Sequence, residues 1–397
     1  MYTYRMNSSP SASFTFREKH LLLLFSEYED QKLPLDYFVS QYFRKVKALG
    51  SKDRAVIAET IYALIRWKGL YDYLLEGDPT WQDRLELYRA HKPESFLKDE
   101  GIPLHVRVSF PQDLFQQIVN SWGEEDAAKI ALACNAPAPT AVRVNTQKIS
   151  REELLKKFQE QNFSVSLSQE SPVGIIFHKK INFFCLPEFQ NGFFEIQDEA
   201  SQQVALLAKA KPGDRVLDFC AGAGGKTLAF AESLKGTGQI YLHDIRLHAL
   251  HEARKRLRRA GIQNSQIIHE SEKEKLKKLK KQMDVVFVDA PCSGTGTLRR
   301  NPDMKWKFSE EMVLRLVSQQ RVIFEQALSY MKPEGKIIFA TCSILKNENQ
   351  NQVEHFLKTY DLELEGDVFQ SIPRFGGKDG FFAATFRRRS TPAAAPK

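Results

Sequence analysis

The first third of the chain has the apolar spacing that is typical of packed α-helices. Between Asp53 and Trp67 the apolar residues fall three or four positions apart and are separated by polar and charged residues. They are Val56, Ile57, Ile61, Leu64 and Ile65. This spacing forms one apolar stripe and predicts a helix that packs on other helices. We therefore expect an all-α domain over residues 17–135, before the Pro/Ala stretch at 136–139 that interrupts helical periodicity.

A different pattern begins after Gln197, where short apolar runs alternate with helical stretches. Five of the runs predict buried strands, at residues 216–219, 240–243, 266–269, 285–288 and 336–340. Strands that alternate with helices in this way predict a doubly wound α/β domain with a mostly parallel sheet, over residues 197–388. The segment between the two patterns, residues 141–196, predicts a small α/β insert.

Ligands bind at the carboxyl ends of the strands in such sheets, so the residues after each predicted strand are candidates for the site. They are Cys220 to Lys226, Asp244, Glu270, Asp289 to Cys292, and Thr341 to Ser343. Three of the five cysteines fall in this set. That concentration of thiols at one sheet edge indicates more than packing.

Composition and charge narrow the function further. The 397 residues are 42% hydrophobic and 27% charged, which is typical of a folded protein of more than one domain. The cysteines include no C-x-x-C pair, so we expect neither disulfides nor a metal site. We find no signal peptide and no apolar run that could span a membrane, and we expect a cytoplasmic protein. The net charge of +8 favours an anionic partner, although the basic run from Arg246 to Lys281 could simply be solvated helix faces.

The loop after the first strand of the second domain is rich in glycine and reads CAGAGGKT from Cys220. It does not fit a Walker loop, because Cys220 stands where the first glycine is required. Nor does it fit a dinucleotide fingerprint, because Thr227 stands where the third glycine is required. A tight turn for the amino acid end of S-adenosylmethionine remains. Asp244, after the next strand, could accept hydrogen bonds from both ribose hydroxyls or could cap a helix.

Two further loops each place a thiol directly after an apolar strand. The first reads DAPCSGTGTLRRNPDMKW from Asp289 and contains Cys292, and the second reads ATCSI and contains Cys342. Addition of a thiolate to C6 of cytosine lets C5 attack an electrophilic methyl group once the base has left its stack. Asp289 is suited to stabilise the charge that develops near N3 of the ring. This chemistry leaves open which thiol is the nucleophile.

These strings, together with LDFCAGAGGKT, FEIQDEASQ and the terminal DGFF, resemble the Nol1/Nop2/Sun family of S-adenosylmethionine-dependent RNA cytosine-5 methyltransferases. The resemblance is most specific from Phe193 to Arg388 and implies a Rossmann-like methyltransferase domain. A weaker likeness around LGSKDR, from Leu49, implies that the helical domain is NusB-like and binds RNA.

The resemblance implies a role for each candidate residue. It makes Cys342, in the T-C-S motif, the nucleophile, and Cys292, in the P-C-S motif, the thiol that assists product release. In DNA cytosine-5 methyltransferases the nucleophile is instead the thiol of a Pro-Cys motif. The cofactor residues that it implies are Cys220, Ala221, Gly222, Ala223, Gly224, Gly225, Lys226, Asp244, Glu270 and Asp289. Arg299, Arg300 and Lys305 follow the catalytic motif and are the expected RNA contacts.

The chain departs from the family pattern at two of these positions. Ala223 replaces a proline that is common in the cofactor loop, and Glu270 stands where an aspartate near the adenine is usual.

We therefore expect a monomeric enzyme that transfers a methyl group from S-adenosylmethionine to C5 of a cytosine in RNA, with 16S ribosomal RNA as the favoured substrate. Transfer RNA is the alternative substrate. A DNA cytosine-5 methyltransferase and a non-catalytic RNA-binding assembly factor are the alternative functions. Residues 1–16 and 389–397 are expected to be disordered.

Overall fold

The computed structural model describes residues 14–28 and 33–389, and the expected disorder of residues 1–16 and 389–397 lies largely outside these ranges. The described residues form two compact units. The first contains the residues up to Pro137 together with Thr297–Glu310, and the second contains Ala138–Gly296 and the residues from Glu311 onward.

The first unit is helical, as the apolar spacing predicted. Its helices are α1 (Phe16–Tyr28), α2 (Leu35–Lys45), α3 (Ser51–Leu75), α4 (Trp81–Ala90), α5 (Leu104–Arg107), α6 (Gln112–Trp122) and α7 (Glu124–Asn135), with a 3-10 helix at Pro93–Phe96. In α3 four members of the predicted stripe, Ile57, Ile61, Leu64 and Ile65, are buried, whereas Val56 is exposed. The stripe is therefore one residue narrower than predicted.

A segment from late in the chain completes this unit. Its 3-10 helix, Pro302–Lys307, lies against α3, where the indole nitrogen of Trp306 donates to the carbonyl of Ile65 at 2.8 Å. Lys305 is fully buried. Its ammonium donates to the carbonyls of Arg66 and Ser109 at 2.7 and 2.9 Å, and to Oδ1 of Asn135 at 2.7 Å.

The position of this segment corrects the expectation that Arg299 and Lys305 contact RNA. A lysine ammonium has three protons, and protein oxygens accept all three from Lys305. Arg299 is also buried, and its carbonyl accepts a hydrogen bond from Arg66. Arg300 is only partly buried and remains a predicted contact.

The second unit begins with a small antiparallel sheet. Its elements are β1 (Thr140–Val144), α8 (Arg151–Glu160), β2 (Val165–Leu167), β3 (Gly174–Phe177), α9 (Pro187–Gln190) and β4 (Phe194–Ile196), with a 3-10 helix at Phe183–Cys185. The strand order is β2-β3-β1-β4. The core on this sheet is dominated by aromatic rings, Phe158, Phe177, Phe183, Phe189 and Phe194.

The rest of the second unit is one large sheet with helices. Its helices are α10 (Glu199–Leu206), α11 (Gly225–Ala231), α12 (Leu247–Ala260), α13 (Lys273–Lys277), α14 (Glu310–Leu328) and α15 (Gln350–Thr359). Its strands are β5 (Arg215–Asp218), β6 (Gln239–Asp244), β7 (Ser265–His269), β8 (Met283–Asp289), β9 (Met331–Thr341), β10 (Leu362–Leu364), β11 (Phe369–Ser371) and β12 (Phe381–Arg388). Short 3-10 helices lie at Glu232–Leu234, Glu270–Glu272, Thr295–Thr297 and Lys346–Glu348.

The order of this sheet is β10-β12-β9-β8-β5-β6-β7, with β11 paired to β12. The five predicted strands are β5 to β9, and every pairing among them is parallel, whereas β10, β11 and β12 add antiparallel pairings. The chain runs from β5 outward through β6 and β7 and then returns to place β8 on the other side of β5. The carboxyl ends of β5 and β8 therefore form a topological switch point, where such sheets bind ligands.

None of the described helices has an apolar stretch long enough to cross a membrane.

Candidate active site

A cavity of about 630 Å³ opens at this switch point. Most of the predicted site residues line it: Cys220, Ala221, Gly222, Ala223, Gly225, Lys226, Asp244, Asp289, Cys292 and Cys342. They come from the ends of β5, β6, β8 and β9, so the residues that the sequence patterns identified lie at one edge of one sheet. Gly224 and Glu270 do not line the cavity.

The glycine loop between β5 and α11 is held in shape by positive backbone angles. Gly222 and Gly224 have φ of 53° and 75°, which side chains disfavour. A side chain at Gly224 would also be crowded, since a Cβ on it would lie 3.2 Å from the Cβ of Ala253 on α12. The carbonyl of Ala223 accepts a hydrogen bond from the Arg256 guanidinium at 3.0 Å. An arginine contact thus fixes the backbone at Ala223.

Asp244 ends β6 and is buried beside the glycine loop. Its Oδ2 accepts from the backbone N–H of Gly222 at 2.8 Å, and its two oxygens take a fork of hydrogen bonds from the Arg246 guanidinium at 3.0 Å each. The backbone N–H of Arg246 also donates to Oδ1 at 2.8 Å. Burial raises the pKa of Asp244, but these hydrogen bonds outweigh it and hold the pKa below its usual range. The carboxylate is therefore charged and faces the cavity.

Lys226 and Asp289 form a partly buried ion pair between the glycine loop and the end of β8. The ammonium also lies 5.2 Å from the ring centroid of Phe381. Burial lowers the pKa of Lys226, but the Asp289 carboxylate more than offsets this, so the pKa is raised and the ammonium stays charged. A fixed positive charge consequently stands beside the thiols.

The thiols of Cys292 and Cys342 are in contact, with 3.4 Å between the two Sγ atoms. Both line the cavity. The hydrogen bond to Cys342 and burial raise the pKa of Cys292 well above its ordinary value. Cys220 is a third thiol in this wall, and burial together with the charge of Asp218 raises its pKa as well. Cys220 and Cys292 are therefore held as neutral thiols.

Comparison with known proteins decides the family. A family described as 16S rRNA methyltransferase RsmB/F matches residues 205–387, and one described as the RsmF/B-like ferredoxin-like domain matches residues 110–183. The ribosomal RNA small subunit methyltransferase B of Photorhabdus laumondii is 30% identical over 347 residues, which cover 84% of this chain and 78% of that protein. The chain belongs to the RsmB/F methyltransferase family.

Solved structures agree with this membership. A methyltransferase homolog from Pyrococcus horikoshii is 27% identical to this RsmB/F chain, with a TM-score of 0.64 over 72% of this chain and 98% of that chain. NSun6 from Pyrococcus horikoshii, solved with SFG, is 20% identical, with a TM-score of 0.65 over 70% of this chain and 98% of that chain. The latter likeness shows a shared fold.

Glu270 is a predicted cofactor residue that the RsmB/F fold does not place in the cavity lining. It opens the 3-10 helix after β7, is exposed, and pairs with Lys273 at 3.2 Å on the same turn. That turn directs the carboxylate to a lysine three residues on, and a place for Glu270 near the adenine stays a prediction.

Sequence reasoning missed one wall of the cavity. Gln319, Ile323 and Gln326 line it from α14, together with Ile245 after β6. The three α14 residues are four and three positions apart, so the same helical spacing that identified α3 could have placed them on one face. No group of three or more His, Cys, Asp or Glu side chains within residues 14–28 and 33–389 is placed to hold a metal ion.

Proposed function

We propose that this chain transfers a methyl group from S-adenosylmethionine to C5 of a cytosine in RNA, with 16S ribosomal RNA as the substrate. The observation that carries the proposal is the contact of two thiols, Cys292 and Cys342, in the wall of a cavity that also contains a glycine loop and a carboxylate. RsmB/F membership supports the RNA substrate, because both the family and the Photorhabdus relative are named for ribosomal RNA methylation.

The cavity fits S-adenosylmethionine in size and in chemistry. Its volume of about 630 Å³ is in the range of small-molecule sites. The glycine loop offers close backbone approach for the amino acid end, and Asp244 offers carboxylate oxygens for the ribose hydroxyls. The fold neighbour NSun6 was solved with the S-adenosylmethionine analogue SFG. When bound, the cofactor supplies the electrophilic methyl group.

We assign the remaining chemical steps to side chains of the protein. The Cys342 sulfur adds to C6 of the cytosine, so that C5 becomes nucleophilic and takes the methyl group. Lys226, held by Asp289, supplies positive charge where the ring gathers negative charge during addition. Loss of the C5 proton to a base then breaks the bond between sulfur and C6, and Cys292 assists this release.

The proposal is tested by bisulfite sequencing of RNA from cells with and without the gene, rescued with wild type, Cys342→Ala or Cys292→Ala. We expect one cytosine of 16S ribosomal RNA to lose its mark without the gene and to regain it with wild type alone. A mark lost from transfer RNA would move the substrate there. No change at any cytosine would overturn the proposal.

The roles of the two thiols are separated by trapping. Purified Cys292→Ala protein incubated with its RNA and S-adenosylmethionine should accumulate a covalent complex that survives a denaturing gel, because release is blocked while addition continues. Cys342→Ala should give no complex. A complex that accumulates with Cys342→Ala instead would make Cys292 the nucleophile, as in the DNA enzymes.

A further inference from the structure

A buried carboxylate outside the predicted site lies directly behind the thiol pair. Glu348 ends the 3-10 helix Lys346–Glu348 and is fully buried. Its oxygens accept from the backbone N–H of Ser293 at 2.8 Å and from the Ser293 hydroxyl at 2.5 Å. Gln320 donates to Oε1 of Glu348 at 3.3 Å and to the carbonyl of Pro291 at 3.0 Å. Of the two neighbours of Cys292, Ser293 is thus bonded directly to this carboxylate and Pro291 is linked to it through Gln320.

The loop of Cys342 joins the same network. The hydroxyl of Ser343 lies 3.3 Å from that of Ser293 and 3.1 Å from that of Thr295. Asn349, the neighbour of Glu348, donates to the carbonyl of Ser343 at 2.9 Å. Every hydroxyl in this network is buried, so the two thiol loops are locked to each other by polar contacts.

The charges around the thiol pair are unequal at its two ends. Burial raises the pKa of Glu348, while the hydrogen bonds from Ser293 and Gln320 act to lower it. In its charged form Glu348 helps to raise the pKa of Cys292, after the effects of Cys342 and burial. The Lys226 ammonium acts on Cys342 from the cavity side, where its ion pair with Asp289 holds it. A negative charge beside one sulfur and a positive charge beside the other polarise a pair that is 3.4 Å apart.

We propose that Glu348 is a positioning residue which, with Lys226 at the opposite end, keeps the proton on Cys292 and directs reaction to the Cys342 sulfur. This inference rests on the proposed function for its consequence, because it explains why only one of two adjacent thiols attacks cytosine. Cys292 then donates a hydrogen bond to the Cys342 sulfur until that sulfur adds to the ring. The network under the loops fixes the distance over which the proton is shared.

The test needs no RNA, since iodoacetamide reacts with thiolates in preference to thiols. Full-length protein receives less than one equivalent of iodoacetamide, and mass spectrometry of peptides measures the ratio of alkylated Cys342 to alkylated Cys292. We expect a ratio of about ten in wild type and a fall of at least about threefold in Glu348→Gln, which removes the charge but keeps the shape. The matched control is Glu354→Gln, an exposed glutamate on α15, which should behave as wild type.

Each outcome separates this inference from the proposed function. If Cys292 is alkylated first in wild type, the assignment of the nucleophile fails and the inference fails with it. If Cys342 is alkylated first in wild type and the ratio is unchanged in Glu348→Gln, only the role of Glu348 is overturned. Ser293→Ala keeps the charge of Glu348 and removes one of its hydrogen bonds. If the alkylation ratio falls as far in Ser293→Ala as in Glu348→Gln, the cause is loosening of the loop, and the role of charge is overturned.

A second variant covers the case in which Glu348→Gln does not fold. Lys226→Met removes the positive charge at the other end of the pair, and we expect it to lower the same alkylation ratio. An unchanged ratio in folded Lys226→Met protein would show that charge does not place the proton, and would overturn the inference. Thermal unfolding of each variant establishes that the protein assayed is folded.

Discussion

Asp218, the last residue of β5, is a buried acid whose ionisation opposes folding. Its Oδ2 accepts from the Thr227 hydroxyl at 2.6 Å, while Oδ1 has no hydrogen-bond partner in the described structure. Burial, helped by the charges of Asp289 and Asp244, raises the pKa of Asp218 to about 7. The unfolded chain releases this proton at a much lower pH, near the ordinary pKa of about 3.9.

The sign of the effect on stability follows from this difference. Between about pH 4 and about pH 7 the folded state holds a proton that the unfolded state has released, so this residue makes stability fall as pH rises. The loss should reach about 4 kcal/mol at most. Residue 218 cannot ionise in Asp218→Asn. The free energy of unfolding of the variant minus that of wild type should therefore increase from about pH 4 to about pH 7 and stay constant above that. Urea unfolding across the range measures this, with exposed Asp367→Asn as control, and a pH-independent difference would contradict it.

At the scale of elements, the strands that build the site could be predicted and the edge of the sheet could not. The strands β5 to β9 have continuous apolar runs because both of their faces are covered, and that pattern is local. The short strands β10 and β11 carry no such run, and β12 ends in exposed arginines that favour interpretation as surface. Their places depend on pairings between residues far apart in sequence, which local patterns do not contain.

The same limit explains the residues that sequence reasoning misplaced. A lysine in a basic stretch is ordinarily exposed, and Lys305 is buried only because oxygens of Ser109 and Asn135, far away in sequence, accept its protons. Glu348 was missed for the converse reason, since nothing near it in sequence shows that Ser293 will meet it. By contrast, Cys292, Cys342 and Asp244 could be placed because each directly follows a strand of the parallel sheet.

The turn between β6 and α12 carries a testable consequence for cofactor binding. Four donors already occupy the Asp244 carboxylate, two of them from the exposed Arg246 guanidinium, so ribose hydroxyls must replace that fork. Arg246→Ala should therefore bind S-adenosylmethionine about two- to fivefold more tightly, because an exposed ion pair contributes at most about 1 kcal/mol. Calorimetric titration measures this, with Arg254→Ala on α12 as control. Weaker binding by Arg246→Ala would show that the guanidinium contacts the cofactor instead.

At the scale of the whole molecule, the first unit is assembled from two distant parts of the chain. Residues 297–310 follow the P-C-S motif in sequence, yet their partners lie among the N-terminal helices. Trp306 packs against the core of this unit and donates to Ile65, and Asp303 accepts from Tyr28 at 3.2 Å. A chain that lacks the N-terminal helices therefore lacks the groups that bury and bond this segment.

This discontinuity predicts how a truncated protein is digested. In a fragment of residues 138–397, Lys305 has lost all three oxygen acceptors and Trp306 the core against which it packs, so residues 297–310 should become accessible to protease. Trypsin should cut the fragment after Arg299, Arg300, Lys305 and Lys307, and should spare these sites in the full chain. Cleavage after exposed Lys179 in both proteins is the internal control. Equal protection of residues 297–310 in the fragment and the full chain would mean that the N-terminal helices are not what orders them.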